Sequence, residues 1–249
     1  MTQNLINMFC MKTLKILLHI LVVIPLCLII LISTKNQQEK IIQYWCKKLL
    51  SIFEIKVELK GVESFLFNQK KYLIVSNHIS WLDIIVIQSI KPSIFVAKSD
   101  VASWPLFGWV AHMTGTIFIK RDKVSDIKKA LKKMKRRLNK RSVCIFPEGT
   151  STNGRYVLPF KSNLFQSSID TNKPILPICL RYEERHHYSD KVAFVDDMSL
   201  VDSIIKIKKE KHITATLEVL EPIRPRGNRK EIASYTHEII QKNLSQNLS

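Results

Sequence analysis

The stretch YLIVSNHISWLDIIVIQSI, residues 72–90, contains one complete unit of the predicted fold. Its first five residues form an apolar run that predicts a buried strand. SWLDIIVIQSI, residues 80–90, predicts the helix that follows, which ends before Pro92. Asn77 and His78 lie between the two, at the carboxyl end of the strand. The stretch therefore predicts a strand, a polar loop and a helix in direct succession.

The same alternation of apolar runs and helical segments continues through the rest of the chain. Further strands are predicted at residues 93–97, 116–119, 142–146, 175–180 and 213–220. Helices are predicted at residues 122–141 and 229–243, an apolar helix or broken helix at 99–112, and a segment compatible with a helix at 159–170. This order predicts a single α/β domain with a largely parallel, mixed sheet flanked by helices.

The most hydrophobic segment of the chain is LKILLHILVVIPLCLIILIS, residues 14–33. Its uncharged part, Ile16 to Ile32, is at the lower limit of length for spanning a bilayer core about 30 Å thick. A signal peptide and a core helix are the competing interpretations. The first lacks a small-x-small cleavage site, and the second does not fit a segment that is apolar on every side. Lysines flank both ends, so the charge pattern sets no orientation.

Residues 38–53, QEKIIQYWCKKLLSIF, predict a second helix with Trp45 and Leu49 on one side. A basic amphipathic helix of this kind suits a membrane interface, and a helix facing the core is the alternative. The two segments favour membrane attachment, either spanning the bilayer or embedded in one leaflet. We therefore divide the chain into membrane-anchoring helices, residues 1–54, and a catalytic or binding domain, residues 55–249.

The net charge of +18, from 39 Lys and Arg against 21 Asp and Glu, favours an anionic partner. Nucleic acid, an anionic membrane and a phosphorylated substrate all fit, and a biased base composition is the alternative. Basic residues concentrate between Lys120 and Arg141, but no aromatic residue interrupts them and no nucleic-acid-binding module is recognisable. We predict no nucleic-acid partner, and a solvated or membrane-facing basic surface instead.

The five cysteines are scattered and none forms C-x-x-C, which argues against a disulfide framework and a zinc site and favours a reducing, cytoplasmic setting. Neither G-x-G-x-x-G nor G-x-x-x-x-G-K-[ST] occurs, so a dinucleotide-binding or Walker-type phosphate loop is not supported. We predict no metal and no bound cofactor.

His78 and Asp83 form the first candidate pair for catalysis. A five-residue offset does not stack two side chains on one helix face. The pair works if His78 precedes the helix and reaches a carboxylate inside it, because Asp83 would then hold the Nδ1 proton and leave Nε2 as a base. The structural alternative is that His78 is an ordinary residue at a helix start and Asp83 a surface charge.

Three further motifs follow other predicted strands. FPEGTS, residues 146–151, combines a tight turn with the side chains of Glu148 and Thr150. Arg121 follows the strand at 116–119 and offers a fork of donors to a phosphate. LPICL, residues 176–180, places a proline inside a strand. The carboxyl edge of an open α/β sheet is where such groups meet a ligand.

This ordered set resembles the glycerolipid acyltransferase family, best known for lysophosphatidic acid acyltransferases. Asn77, His78 and Asp83 match its N-H-x-x-x-x-D block, and Arg121 matches the arginine that ends its second block. F-P-E-G-T at 146–150 matches the third block, and Leu176–Ile178 the fourth. The resemblance covers roughly residues 55–220. Many members carry an arginine where this chain has Ser151, and small residues where it has Asn163.

The resemblance implies an enzyme that transfers a fatty acyl group to 1-acyl-sn-glycerol 3-phosphate, with His78 as general base and Asp83 orienting it. The acyl donor would be acyl-CoA or acyl carrier protein. The resemblance implies seven further residues that bind the substrate: Asn77, Arg121, Glu148, Gly149, Thr150, Ser151 and Lys161. Lys161 or Lys98 would assist Arg121 in binding the phosphate. The implied location is the cytoplasmic face of the inner membrane.

Two other functions fit less of the sequence. The first keeps the chemistry and changes the acceptor to another lysolipid, such as lyso-ornithine lipid, because the basic residue is missing at Ser151. The second is a non-catalytic, membrane-bound basic protein that binds nucleic acid or lipid. The His–Asp and Glu–Gly–Thr motifs count against this second alternative.

Overall fold

The computed structural model describes residues 2–104, 107–120 and 124–247. Within these residues, eight strands form one sheet, which is the predicted mixed sheet of an α/β domain. The strands are β1 Lys56–Gly61, β2 Leu73–Ser76, β3 Ile94–Lys98, β4 Ile117–Ile119, β5 Val143–Ile145, β6 Ile175–Glu184, β7 His187–Tyr188 and β8 Ile213–Val219.

The helices cover both faces of this sheet. They are α1 Thr2–Ile32, α2 Lys35–Phe53, α3 Ser64–Phe67, α4 Leu82–Ile90, α5 Phe107–Met113, α6 Val124–Leu138, α7 Gln166–Thr171, α8 Leu200–Lys209 and α9 Arg229–Gln246. Short 3₁₀ helices at Ser99–Ser103 and Ser162–Phe165 account for the predicted broken helix and for the first half of the segment at 159–170.

The strand order is β1-β8-β6-β2-β5-β3-β4, with β7 paired to β6. Strands β6, β2, β5, β3 and β4 are mutually parallel, whereas β8 pairs antiparallel with β6 and parallel with β1. The five parallel strands therefore end at one edge of the sheet, and the loops that leave β2, β3, β4 and β5 meet there.

Alternate residues of each central strand enter different cores. Leu73 and Val75 of β2 pack on the side of α6 and α9, and Ile74 packs on the side of α2 and α4. In β5, Cys144 faces α4 and its two neighbours face α6. This period of two explains why the central strands read as continuous apolar runs, since both faces of the sheet are covered.

Helices α1 and α2 form an antiparallel pair on the α4 side of the sheet. The turn between them is fixed by Thr34, whose side chain and backbone exchange hydrogen bonds with Gln37 in a capping box. Trp45 stacks on His19 across the pair, with ring centroids 4.9 Å apart. One face of α2 enters the core of the domain, through Ile42, Trp45, Cys46, Leu49, Leu50 and Phe53.

Helix α1 buries a narrow stripe and exposes the rest. Ile16, Val23, Cys27 and Ile30 are buried at helical spacing, while most of the remaining apolar side chains are exposed. Cys10–Ile32 is the one described helix long and apolar enough to cross a membrane, and 28 % of its apolar window is buried. Of the two interpretations of residues 38–53, a helix facing the core therefore describes α2, whereas the exposed apolar surface belongs to α1.

The basic helix α6 lies on the other face of the sheet. Its buried residues, Ala130, Met134 and Leu138, pack in the core shared with α9. The sheet therefore separates the lysines of α6 from the apolar surface of α1, and α6 presents its charges to solvent.

Candidate active site

His78 lies in the loop that leaves β2, and Asp83 is the second residue of α4. The loop turns back over the helix start, so the two side chains meet with Nδ1 of His78 2.8 Å from Oδ2 of Asp83. Asp83 is fully buried, whereas the His78 side chain is 21 % exposed. The predicted contact is present, and its geometry follows from His78 preceding the helix rather than belonging to it.

The carboxylate of Asp83 accepts three more hydrogen bonds. The backbone N–H groups of Ile79 and Ser80 donate to Oδ2 at 2.7 and 3.0 Å. The hydroxyl of Tyr182 in β6 donates to Oδ1 at 2.8 Å. A buried carboxylate with this many donors is held in one position, and it fixes the ring that donates to it.

Since Asp83 accepts from Nδ1, the neutral imidazole of His78 carries its proton there and offers a lone pair at Nε2. Nε2 has no hydrogen-bond partner among the described residues. The ring is stacked on Phe146, with centroids 4.1 Å apart and planes 12° apart. His78 is thus oriented on one side by a carboxylate and on one face by an aromatic ring, with Nε2 available to a ligand.

Glu148 follows β5 and is 3 % exposed. Its Oε1 accepts from the backbone N–H of His78 at 2.7 Å, and its Oε2 accepts from that of Leu158 at 2.8 Å. The pKa of this carboxyl is raised to about 7, chiefly by burial and also by the charge of Asp83, against the lowering effect of the two N–H donors. Glu148 therefore positions the His78 loop, and its predicted role in substrate binding stays a prediction, since it also lines the cleft beside Gly149 and Thr150.

Asn77 also has a positioning contact. It is 1 % exposed, and its side-chain amide donates to the carbonyl of Leu180 and accepts from its N–H, each at 2.8 Å. These two bonds tie the end of β2 to β6. Asn77 is thus closed off from the cleft in which we expected it to bind substrate.

The segment after Glu148 packs against the His78 loop. Gly149 has φ of 84°, a conformation that favours glycine, and its N–H closes the predicted turn onto the carbonyl of Phe146 at 3.2 Å. The N–H of Thr152 donates to the carbonyl of His78 at 2.9 Å. Ser151 donates to the carbonyl of Phe194, so its hydroxyl is engaged by the protein itself.

A cleft of about 360 Å³ opens beside this segment. Three exposed lysines line it: Lys98 at the end of β3, Lys120 after β4, and Lys161. The other lining residues include two carboxylates and the segment after β5: Asp100, Glu148, Gly149 and Thr150. We call it the three-lysine cleft. Lys120 was not singled out in the sequence because it was one of many lysines; its position directly after a strand was the available signal. Arg121 lies outside the described residues.

An apolar cavity of about 150 Å³ lies on the other side of the site, between the α1–α2 pair and the domain. Its wall includes Trp81 from the His78 loop and Phe95 of β3, whose ring centroid is 5.9 Å from that of Phe146. Val23 and Cys27 of α1 close it from the far side. The site thus has a cationic cleft and an apolar cavity within one set of neighbouring residues.

No group of three or more His, Cys, Asp and Glu side chains is arranged to hold a metal within the part of the chain that the structure describes.

Comparison with known proteins gives the family. The model of the acyltransferase family matches residues 54–181, just over half of the chain. The chain belongs to the acyltransferase family. The match contains His78, Asp83 and the F-P-E-G-T segment, and the predicted resemblance and acyltransferase class are confirmed.

Relatives of this chain carry names that differ in the acceptor lipid. A lyso-ornithine lipid O-acyltransferase of Pseudomonas aeruginosa is 27 % identical over 82 % of this acyltransferase and 78 % of that protein. A 1-acyl-sn-glycerol-3-phosphate acyltransferase of Neisseria gonorrhoeae is 33 % identical over 59 % of this chain and 58 % of that protein.

The fold is shared with a solved structure, that of the 1-acyl-sn-glycerophosphate (LPA) acyltransferase from Thermotoga maritima. It aligns with a TM-score of 0.70 and 19 % identity over 97 % of this chain and 95 % of that one. The predicted α/β fold is therefore confirmed over nearly the whole acyltransferase, including the N-terminal helices.

Proposed function

We propose that this acyltransferase transfers a fatty acyl group from acyl-CoA or acyl carrier protein to 1-acyl-sn-glycerol 3-phosphate, forming phosphatidic acid. The observation that carries the proposal is the His78–Asp83 pair, with Nε2 open to a ligand beside the three-lysine cleft. Acylation of a phosphorylated alcohol requires a base for its hydroxyl and a cationic site for its phosphate.

In the proposed reaction, Nε2 of His78 removes the proton from the free glycerol hydroxyl as its oxygen attacks the thioester carbonyl. Asp83 stabilises the imidazolium that forms and keeps the ring in place. The carbon–sulfur bond breaks as the new ester bond is completed, and the departing thiolate takes the proton from His78. This route uses no acyl-enzyme, metal ion or bound cofactor.

The lysines of the cleft would hold the phosphate of the acceptor. Lys98, Lys120 and Lys161 carry no ion pair among the described residues, so their charges are available to a dianion. Arg121 follows Lys120 directly in the sequence, and its role in phosphate binding stays a prediction from the family resemblance. Thr150 adds a hydroxyl at the cleft wall.

The apolar cavity is suited to a fatty acyl chain. Its lining is dominated by aliphatic and aromatic side chains from α1, α2, α4 and α5. Burial of each methylene contributes about 0.8 kcal/mol, so the cavity would favour a chain over water.

A lyso-ornithine lipid is the second candidate acceptor, favoured by the relative from Pseudomonas aeruginosa, which aligns over 82 % of this chain. The ornithine head group carries an ammonium beside its carboxylate. The three lysines of the cleft outnumber its two carboxylates, Asp100 and Glu148, so the cleft on balance repels an ammonium. The charge of the cleft therefore favours the phosphorylated acceptor.

We further propose that the enzyme acts at the cytoplasmic face of the inner membrane and lies along the bilayer surface through α1. Exposed apolar residues follow one another along this helix from Met11 to Ile32, while its opposite stripe packs on the domain. A helix held along its length by protein presents its apolar side to one leaflet.

The test is acyl transfer in detergent micelles with each donor and each acceptor in turn. The proposal predicts phosphatidic acid from lysophosphatidic acid, and little change in that turnover when lyso-ornithine lipid is added as a competitor. Exclusive acylation of lyso-ornithine lipid would contradict the assigned acceptor. Retention of lipid binding without any transfer from either donor would favour the non-catalytic alternative.

Lysine variants test the cleft separately. Lys161→Gln and Lys120→Gln are each expected to raise the KM for lysophosphatidic acid by about tenfold with little change in kcat, because a charge-assisted bond to the phosphate is lost. Lys129→Gln on α6 is the matched control. A KM that does not respond to either cleft variant would remove the cleft from acceptor binding.

A further inference from the structure

A second basic groove lies away from the active site, where the start of α1, the end of α2 and the end of α8 come together. Its volume is about 780 Å³. Six lysines line it: Lys12, Lys15, Lys48, Lys208, Lys209 and Lys211. We call it the lysine groove. It shares no residue with the three-lysine cleft or with the apolar cavity.

The charges in the lysine groove are largely uncompensated. One carboxylate is among its lining residues, that of Glu54, and Lys12 lies 3.5 Å from it. Lys208 donates to the hydroxyl of Thr13 at 2.7 Å. The other four lysines are exposed and form no ion pair with the described residues: Lys15, Lys48, Lys209 and Lys211. Such a group of ammonium ions attracts a concentrated negative charge.

The wall of the groove is apolar on the α1 side. Leu18 is 53 % exposed and Val22 is 48 % exposed, and both line the groove. They continue into the exposed apolar surface of α1 that includes Leu14, Leu21 and Leu28. The groove therefore combines a cationic rim with an apolar wall that leads along the helix.

We propose that the lysine groove binds an anionic phospholipid of the membrane, with its phosphate among the lysines and an acyl chain along Leu18 and Val22. The cationic rim would bind the anionic head group, and the apolar wall would contact an acyl chain. A free phosphate or a nucleic acid has no such chain. This binding is independent of the proposed acyl transfer and orients α1 at the membrane surface.

The test compares binding of the full-length protein to phosphatidylcholine vesicles with and without phosphatidylglycerol, at fixed ionic strength. The groove variant combines Lys15→Gln, Lys48→Gln, Lys209→Gln and Lys211→Gln. The control variant removes the same charge from α6, through Lys128→Gln, Lys129→Gln, Lys132→Gln and Lys133→Gln. All eight side chains are exposed, so both variants are expected to keep the Tm of the wild type.

Phosphatidylglycerol is expected to strengthen binding of the wild type and of the α6 variant, and the groove variant is expected to lose at least about tenfold of that gain. Equal losses in the two variants would show diffuse attraction and overturn the proposal, as would a groove variant that keeps the gain. Inorganic phosphate is expected to displace the protein no more than chloride does at equal ionic strength. Specific displacement by phosphate would make the groove a site for the free anion.

Discussion

Asp83 receives four hydrogen bonds, and three of the donors belong to the five residues that precede it. The loop from His78 to Ser80 folds over the first turn of α4, so its N–H groups and the imidazole converge on one carboxylate. Such local bonds between a short acidic side chain and nearby backbone are common at helix starts. The fourth donor, Tyr182, comes from a distant strand and closes the site from below.

Asp83→Asn is expected to lower kcat by roughly 10²-fold or more, because an amide cannot both receive the Nδ1 proton and stabilise the imidazolium. The KM for lysophosphatidic acid should change little, since Asp83 is fully buried. Steady-state kinetics in micelles measure both constants. A kcat within a few fold of the wild type would contradict the assigned role.

Tyr182→Phe is the control that separates a loss of stability at the buried Asp83 carboxylate from a loss of its contact with His78. It removes the donor to Oδ1 and leaves the contact between Asp83 and His78 in place. We expect a loss of about 1–3 kcal/mol in unfolding free energy from the unsatisfied oxygen, with most of the activity retained. Loss of activity equal to that of Asp83→Asn would show that stability, and not the orientation of His78, explains both variants.

The titration of Glu148 predicts how the stability of the protein depends on pH. Its folded-state pKa of about 7 lies above its ordinary value of 4.5, chiefly because of burial. The folded protein thus holds a proton that the unfolded chain releases, and this contribution to stability is present below pH 4.5 and lost as the pH rises to about 7. The difference corresponds to roughly 3 kcal/mol.

Glu148→Gln is therefore expected to flatten the pH dependence of Tm between these two values, because the amide does not titrate. Thermal unfolding of the two proteins in the same detergent measures this. Parallel curves for wild type and variant would show that Glu148 does not titrate in this range.

The sequence allowed the local half of the site to be predicted. His78 and Asp83 are close along the chain, and a strand end followed by a helix start leaves few ways to arrange them. Tyr182 was not predicted, because its contact joins residues 99 positions apart and depends on β6 lying next to β2. The contact of Glu148 with the His78 loop was not predicted, because the sequence places Glu148 at the sheet edge but does not show that its carboxylate accepts from the N–H of His78.

At the scale of elements, the central strands were predictable because both faces of the sheet are buried, which makes β2, β5 and β6 continuous apolar runs. Strand β1, KVELKG, was missed because it is a half-exposed edge strand rich in charge. The antiparallel pairing of β8 with β6 was also missed, since no hydrophobic pattern reports strand direction. Helix α8 was also missed, because its apolar residues are interrupted by Asp202, Ser203 and Lys206 and the helix is only ten residues long.

Helix α1 leads to a prediction about membrane binding. Leu14, Leu17, Leu21 and Leu28 are each more than half exposed. Replacing all four with Ser is expected to lower binding to neutral vesicles by at least about tenfold, because each lost leucine contributes about 1.5–3 kcal/mol when fully buried in lipid. Vesicle flotation measures the partition, and Tm reports whether the fold is kept.

The control variant combines Phe67→Ser and Tyr235→Ser, which remove exposed hydrophobic side chains from elsewhere on the surface. It should bind vesicles as the wild type does. If both variants lose binding to a similar extent, the contact with lipid is not specific to α1.

For the whole molecule, the helix pair and the domain form a single structure. The core that contains Ile74 and Leu176 of the sheet also contains Trp45 of α2 and Val23 of α1. A boundary between residues 54 and 55 falls between α2 and β1, but α2 packs as part of the domain. Deleting residues 1–54 would open this core, so surface substitutions on α1 test membrane attachment more cleanly than truncation.

The layers of the molecule also relate the site to the membrane. Helices α1, α2 and α4 lie on one face of the sheet, and the apolar cavity lies between α1 and the loop that carries His78. In the proposed reaction, an acyl chain that entered from the lipid side would therefore approach His78 through the apolar cavity, and the three-lysine cleft would hold the polar head at the sheet edge.

The most direct test of the central claim is the rate of phosphatidic acid formation by His78→Ala beside the wild type, at saturating donor and lysophosphatidic acid. The His78 side chain is 21 % exposed and Asp83 keeps its three other donors without it, so the variant is expected to fold, and its Tm checks this. If His78 is the base, the variant loses at least about 10²-fold in kcat. A folded His78→Ala enzyme that keeps most of the wild-type rate would show that the proton is removed by another group.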